Sequence, residues 1–265
     1  MSSISGVAAA DQRWSEMLAL WAIPDHILAG AEESPYFFDQ SVFAAAADEA
    51  LTRAQDSPSD RRARSALPAG GSVIDVGCGG GAASLRLRPA RLTGVDSSPA
   101  MLGLFEERGR GLGLAASIVE GAWPDVADVV PVADVVVCHH VVYNAARLGT
   151  FARALDEHAR VRTVVELTAV HPMTWMAPYW QALHGLRLPD CPTADDAIEL
   201  LEGMGWQIGR ERWTRPYQML GETGADGLER IARRLCLPRS RRSELGTLLE
   251  ETPPPPQREM VTLWW

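Results

Sequence analysis

From Val73 onward, short β-branched runs alternate with glycine-rich or amphipathic stretches, the pattern of a parallel sheet wound with helices. Five runs predict strands: Ser72–Val76 (SVIDV), Leu92–Val95, Ser117–Glu120, Ala133–Cys138 and Val161–Thr168. Between them, GAASLRLRP after the first and PAMLGLFEERGR after the second carry apolar residues at three- and four-residue spacing and predict helices. Leu148–His158 predicts another after the fourth strand. Past residue 170 the pattern gives a helix at Ala194–Met204, a strand over WQIGRERWT, and helix again over Gly227–Glu251. TPPPP, too stiff for a central strand or helix, then leads into a closing strand at 258–265.

Residues 1–66 differ, being alanine-rich and helical with little strand pattern, and predict an N-terminal helical extension or lid on a domain spanning 67–265. A helical insertion at about 222–251 precedes the last strand. That strand, ending Leu263-Trp264-Trp265, is expected at a sheet edge, where it either makes a self-contact, giving a homodimer, or packs against the added helices.

Composition narrows the chemistry. All 25 basic residues of the 265 are arginine. Without lysine there is no lysine Schiff base, no PLP anchor and no P-loop lysine under a phosphate. Hydrophobic residues at 46% and charged residues at 22% indicate neither disorder nor a membrane protein. A net charge of −9 argues against nucleic-acid binding over the whole surface. The first residues show no basic segment followed by an apolar run, so a cytoplasmic location is expected. Cys78, Cys138, Cys191 and Cys236 lie far apart without metal-ligand spacing, so reduced thiols and no metal are expected.

The most informative stretch is VIDVGCGGGA at 73–82, a buried strand entering a loop with glycines at 77, 79, 80 and 81. Such glycines let the backbone turn sharply beside a nucleotide-type cofactor. Asp96 ends the second strand, where a carboxylate meets ribose hydroxyls. Gly77-x-Gly79-x-x-Ala82 also fits the NAD fingerprint, but Asp75 would repel a pyrophosphate and suits a cofactor carrying an ammonium and a sulfonium. S-adenosylmethionine has both.

VIDVGCGGG followed by LTGVDSSPAML resembles the first two motifs of the class I S-adenosylmethionine-dependent methyltransferases over about residues 70–170. The resemblance implies an α/β fold: a Rossmann-like, seven-stranded, mostly parallel sheet with an antiparallel C-terminal edge hairpin and helices on both faces. It implies that Asp75 and the backbone of Gly77, Cys78 and Gly79 hold the amino-acid end of the cofactor. Asp96 would bind the ribose, and Ser97 and Met101 would flank the adenine. Many members have Gly-Asp-Ala after the third strand, whose acid binds the adenine amino group. Here Gly121-Ala122-Trp123 stands in its place, so Ala122 and a stacking Trp123, or Glu120, would serve instead.

The resemblance also puts the loop after the fourth strand between cofactor and acceptor. His139 and His140 are therefore the candidate catalytic residues, with His139 also touching the cofactor, since imidazole can take a proton from a hydroxyl, amine or thiol. Fourteen of the 18 aromatic residues lie outside 72–167. Tyr36, Phe37, Phe38, Tyr143, His171, Trp175 and Tyr179 are the candidates for covering an apolar small-molecule acceptor. Methyl transfer asks mainly for in-line positioning and exclusion of water, so a base is optional.

Two other readings stay open. Arg230–Arg242 contains six arginines and no acid, a local run that could grip RNA. A methyltransferase-like protein that binds cofactor without turnover is the other.

Overall fold

A computed structural model describes residues 4–37, 40–217 and 225–265. The five runs form parallel strands β1 (Ser72–Val76), β2 (Arg91–Asp96), β3 (Ala116–Glu120), β4 (Ala133–His139) and β5 (Ala159–Thr168). An antiparallel hairpin of β6 (Gly209–Pro216) and β7 (Gln257–Trp264) completes a seven-stranded sheet in the order β3-β2-β1-β4-β5-β7-β6. The order reverses between β1 and β4, and in open sheets of this kind ligands occupy the crevice outside the strand ends at that point.

Ten α-helices surround the sheet among the described residues: α1 (Ile4–Ala19), α2 (Asp25–Leu28), α3 (Gln40–Thr52), α4 (Pro58–Ala66), α5 (Pro99–Gly111), α6 (Leu148–Glu157), α7 (Ala177–His184), α8 (Ala194–Gly203), α9 (Ala225–Arg234) and α10 (Arg242–Glu251). None is long and apolar enough to cross a membrane. Because the central strands are buried on both sides, each contributes two apolar sets. Val73, Val135, Val137 and Val164 pack with Ala63 and Ala66 of α4 and with Leu102 and Phe105 of α5. Ile74, Val136, Val165 and Leu167 face the other way, toward Trp14 of α1, Phe151 and Leu155 of α6, and Leu201 of α8. A third apolar cluster joins Ile27 to Met176, Tyr179, Ile231, Leu235 and Leu245, binding α2, α7, α9 and α10 into a cap.

Two expectations change. GAASLRLRP supplies only the 3₁₀ turn Leu85–Leu87, because Arg88 turns left-handed at φ 50° ahead of Pro89. The last strand is interior: β7 lies between β5 and β6, with Met260 to Leu263 buried, and β6 is the outer strand. Its apolar run needs cover on both sides, which a central position provides. The terminal tryptophans are packing groups, Trp264 beneath the Arg62 guanidinium at 3.8 Å and Trp265 stacked on Trp206 at 5.4 Å. Of the N-terminal helices, α4 packs on β4, β5 and β7, and α1 on α6 and α8.

Trp14 docks α1. It is fully buried, stacks on Tyr143 with centroids 5.8 Å apart, and donates from Nε1 to the Ala145 carbonyl at 2.9 Å. Trp14→Ala should destabilise the protein by about 3–5 kcal/mol, read as a lower urea midpoint. An unchanged midpoint would show that α1 is peripheral.

Candidate active site

Asp75 closes β1 with its side chain fully buried. Ser84 Oγ donates to its Oδ2 at 2.6 Å, while Oδ1 has no hydrogen-bond partner among the described residues. Burial pushes this carboxyl up to about 7, against the Ser84 bond and with help from the Asp96 charge. The strand then turns through Gly77 at φ 69° and Gly79 at φ 49°. A Cβ on Gly77 would overlap the Val141 side chain after β4, so the close approach of the two loops itself requires glycine there.

The N–H groups of Gly77 and Cys78 both donate to the Val95 carbonyl, at 2.8 and 3.0 Å. Gly79 N–H donates to Asp96 Oδ2 at 2.9 Å, and Ser98 N–H to Asp96 Oδ1 at 2.9 Å. Asp96 thus ties the loop to the start of α5, which Ser98 caps. Helix α3 roofs the loop: the Phe43 ring would lie 3.5 Å from a Cβ on Gly79, and the Phe43 carbonyl already crowds Gly80.

These residues discriminate between cofactors. Only a three-residue 3₁₀ turn follows the loop, so no helix of several turns offers its N-terminus to a pyrophosphate. What is on offer is a buried carboxyl with an unpartnered oxygen, suited to an ammonium. Asp75, the loop and half-buried Asp96 therefore fit S-adenosylmethionine. Ser97 is exposed beside them, and Met101 and Cys78 are buried, the Cys78 thiol pushed well above its ordinary value by burial.

Across the switch point, two polar side chains project to the same face of the sheet as Asp75. Register pairs Asp75 with Val137 and His139 with Glu166, so Asp75, His139 and Glu166 share that face. His140 follows at φ 63°, a left-handed conformation costly for a residue with a Cβ. Its backbone N–H donates to the Glu166 carbonyl at 2.8 Å, and its Nε2 lies 3.2 Å from Glu166 Oε1. His139 Nδ1 lies 3.9 Å from Glu166 Oε2, and its buried Nε2 has no partner among the described residues. Burial pushes His139 toward the neutral imidazole. For Glu166 burial opposes ionisation, but His139, the His140 hydrogen bond and the Arg215 guanidinium at 4.0 Å outweigh it and hold the carboxyl well below its usual range.

Glu166 and Arg215 were not among the sequence candidates. The signal for Glu166 was a lone acid inside the buried apolar run VVELT, where a charge needs partners. Arg215 carries no such signal, because only the β6–β7 pairing brings it there.

Several candidates lie elsewhere than expected. Trp123 packs against the core beside α6, with Nε1 donating to the Phe151 carbonyl at 3.3 Å and its ring edge-on to His158. Ala122 is exposed. Tyr143 is buried and donates its hydroxyl to the Thr168 carbonyl at 2.8 Å, and burial pushes that hydroxyl well above its ordinary value. Tyr179 is buried in the cap and donates to the Thr252 carbonyl. His171 stacks on Trp21 at 3.7 Å, and burial pushes it down to about 4. These four are structural in position. Trp175 is half-buried beside Tyr217, Tyr36 and Phe37 are exposed, and Phe38 falls outside the described residues. Among the described residues, no group of three His, Cys, Asp or Glu is placed to hold a metal. A cavity of about 50 Å³ beside Trp14, Arg13 and Glu199 lies between α1 and α8, away from the glycine loop.

Residues 73–163, about a third of the chain, match the family described as a methyltransferase domain. No curated protein matches the sequence. Among solved structures, a methyltransferase candidate from Bacillus halodurans C-125 is 13% identical, with a TM-score of 0.53 over 79% of this chain and 98% of that one. The YcgJ protein of Bacillus subtilis is also 13% identical, with a TM-score of 0.50 over 85% of this chain and 97% of that one. At such identity the likeness is one of fold. Residues 73–163 thus match a methyltransferase domain, and the whole sheet shares its fold with both of these structures.

A cofactor ammonium paired with Asp75 would bind in a pH-dependent way. Below about 7 the free protein keeps a proton on this carboxyl that must leave before an ammonium pairs with it. Affinity for S-adenosylhomocysteine should therefore rise with pH through about 7 and level off above, with proton release on binding at lower pH. Asp75→Asn should weaken binding at high pH by about tenfold or more and flatten the profile, as calorimetry in buffers of different ionisation enthalpy would read. A pH-independent wild-type affinity would remove Asp75 from the cofactor site.

Proposed function

We propose that the protein transfers the methyl group to a small-molecule acceptor lying between the glycine loop and the His139-His140 turn. His140 bonded to Glu166 at 3.2 Å is the observation that carries this reading. With Nε2–H donated to Glu166, Nδ1 is the imidazole nitrogen with a free lone pair, the one able to take a proton. The left-handed backbone at His140 supports the same assignment, since strain of this kind persists where the surroundings enforce it and clusters at working sites.

The roles divide simply. S-adenosylmethionine supplies a methyl already activated by its sulfonium. Asp75 and Asp96 fix the amino-acid and ribose ends, and α3 closes over the loop to keep water out. During transfer His140 would receive the proton released by the acceptor atom, and Glu166 would stabilise the resulting imidazolium. His139, buried, offers Nε2 as a polar contact rather than a base. Phe37 and Tyr36, with Trp175, border the acceptor side from the cap.

Four of the six arginines in the run have acidic partners, which favours a small-molecule acceptor over RNA. Arg233 pairs with Glu33 at 3.3 Å, Arg241 with Glu244 at 2.8 Å, Arg239 with Glu32 at 3.9 Å and Arg242 with Glu229. Arg233 also lies over the Phe37 ring at 5.0 Å. These cations hold the cap together.

The test begins with small phenols, amines and acids incubated with S-adenosylmethionine, scored by S-adenosylhomocysteine release. On any acceptor found, His140→Asn, which tolerates the left-handed backbone, should lower turnover by about 10²-fold or more with cofactor affinity unchanged. Glu166→Gln should shift the pH profile of kcat by weakening the imidazolium. Full turnover in His140→Asn would leave the histidine without a catalytic role.

A further inference from the structure

Arg215 and Arg258 stand directly opposite each other across the β6–β7 ladder, at the end of the hairpin that abuts the C-terminal end of β5. Like charges in that position repel, and a fold keeps them there only with compensation. Little is present. Among the described residues Arg258 has no carboxylate partner: its Nη2 donates to the Pro172 carbonyl at 3.2 Å and to Tyr217 Oη at 3.0 Å, with the guanidinium 4.5 Å from the Tyr217 ring centre. Among the described residues Arg215 has Glu166 alone, at 4.0 Å, and Glu166 also lies beside both histidines.

Packing accounts for Arg258 lying on Tyr217, but not for a second arginine facing it. Nor does solvent, since Arg258 is half-buried and Arg215 about two-thirds covered, its side chain 34% exposed. The local excess is positive in a chain whose net charge is −9. It adjoins His140 through the shared Glu166, and Trp175 and Tyr217 provide aromatic surface beside it, their rings 5.5 Å apart.

We infer that Arg215 and Arg258 form the anion-recognising part of the acceptor site, and that the acceptor is a small organic acid whose carboxylate they hold. The inference rests on the small-molecule reading above and gives it a substrate class. Guanidinium forks match a carboxylate in shape and charge, and both are permanent cations. The carboxylate would offset the repulsion between the arginines, and the apolar body of the acid would lie against Trp175 and Tyr217. The methylated atom is then a separate group of the acid, presented to His140.

Ligand-observed NMR on the protein loaded with S-adenosylhomocysteine tests this, with benzoate, phenylacetate and cinnamate compared with their primary amides. At least one acid should bind about tenfold more tightly than its amide, and added salt should narrow the difference. Arg215→Gln, at a partly exposed site and with its urea midpoint measured alongside, should abolish the preference. Arg258→Gln should do the same, and Arg258→Lys should keep part of it. Amides binding as well as acids, no acid binding at all, or a preference that survives in Arg215→Gln would each overturn the assignment. A parallel titration of S-adenosylhomocysteine separates the two readings: bound cofactor without acid preference refutes only the acid site, whereas failure to bind cofactor refutes the methyltransferase role itself.

Discussion

A carboxylate buried at the end of β5 governs this edge of the molecule. Glu166 is 4% exposed and sits in a strand whose neighbours are valine, leucine and threonine. A charge there is tolerable only if cationic or hydrogen-bonding groups converge on it. They come from three directions: His139 by strand register, His140 by a backbone turn that its own N–H secures to the Glu166 carbonyl, and Arg215 from the outer hairpin strand. The requirement explains why the chain accepts a left-handed histidine, and why a hairpin far along the sequence lies near the loop after β4. One buried acid thus couples the parallel core to the C-terminal addition.

Local pattern was enough for the sheet. Each β-branched run became a strand within two residues of its predicted limits, because strands covered on both faces leave a continuous apolar signature. GAASLRLRP misled because its apolar spacing belongs to Leu85 and Leu87 dropping into the core from a turn, with Ser84 drawn toward Asp75. The position of β7 was hidden since strand order depends on pairing between segments separated by a helical insertion. At the cofactor end, Asp75 and Asp96 were legible because their roles follow from adjacent glycines in one continuous stretch. At the acceptor end, aromatic residues read as ligand contacts are mostly spoken for. Tyr143 and Tyr179 give their hydroxyls to backbone carbonyls, and Trp123 gives its N–H to α6. A side chain's chemistry can be read from the chain, but whether its polar atom is already satisfied depends on contacts distant in sequence.

The division between middle and ends has a physical basis. Binding one cofactor needs a short strand-loop-strand unit, and residues 73–163 supply it with few aromatics. The cap instead gathers α2, α7, α9 and α10 from three separated stretches around one apolar cluster, and its arginines pair with acids of the N-terminal segment. Such a cap can change its lining without disturbing the loop beneath, because the two share few interactions that must be kept.

Arginine as the sole basic side chain besides histidine sharpens the assignment of proton chemistry. A guanidinium stays protonated under these conditions, so Arg215 and Arg258 can attract and orient but cannot accept a proton. Tyr143 and Tyr217 are pushed further from ionisation by burial, and Glu166 is committed as an anion to the groups around it. Buried His139 has no route by which a proton could pass to solvent without crossing the packed edge, whereas the His140 side chain is 36% exposed. Among these groups His140 alone combines a free nitrogen, a fixed partner for its other nitrogen and contact with water. The fold therefore places fixed charge and movable protons on different side chains, and joins them through a single carboxylate.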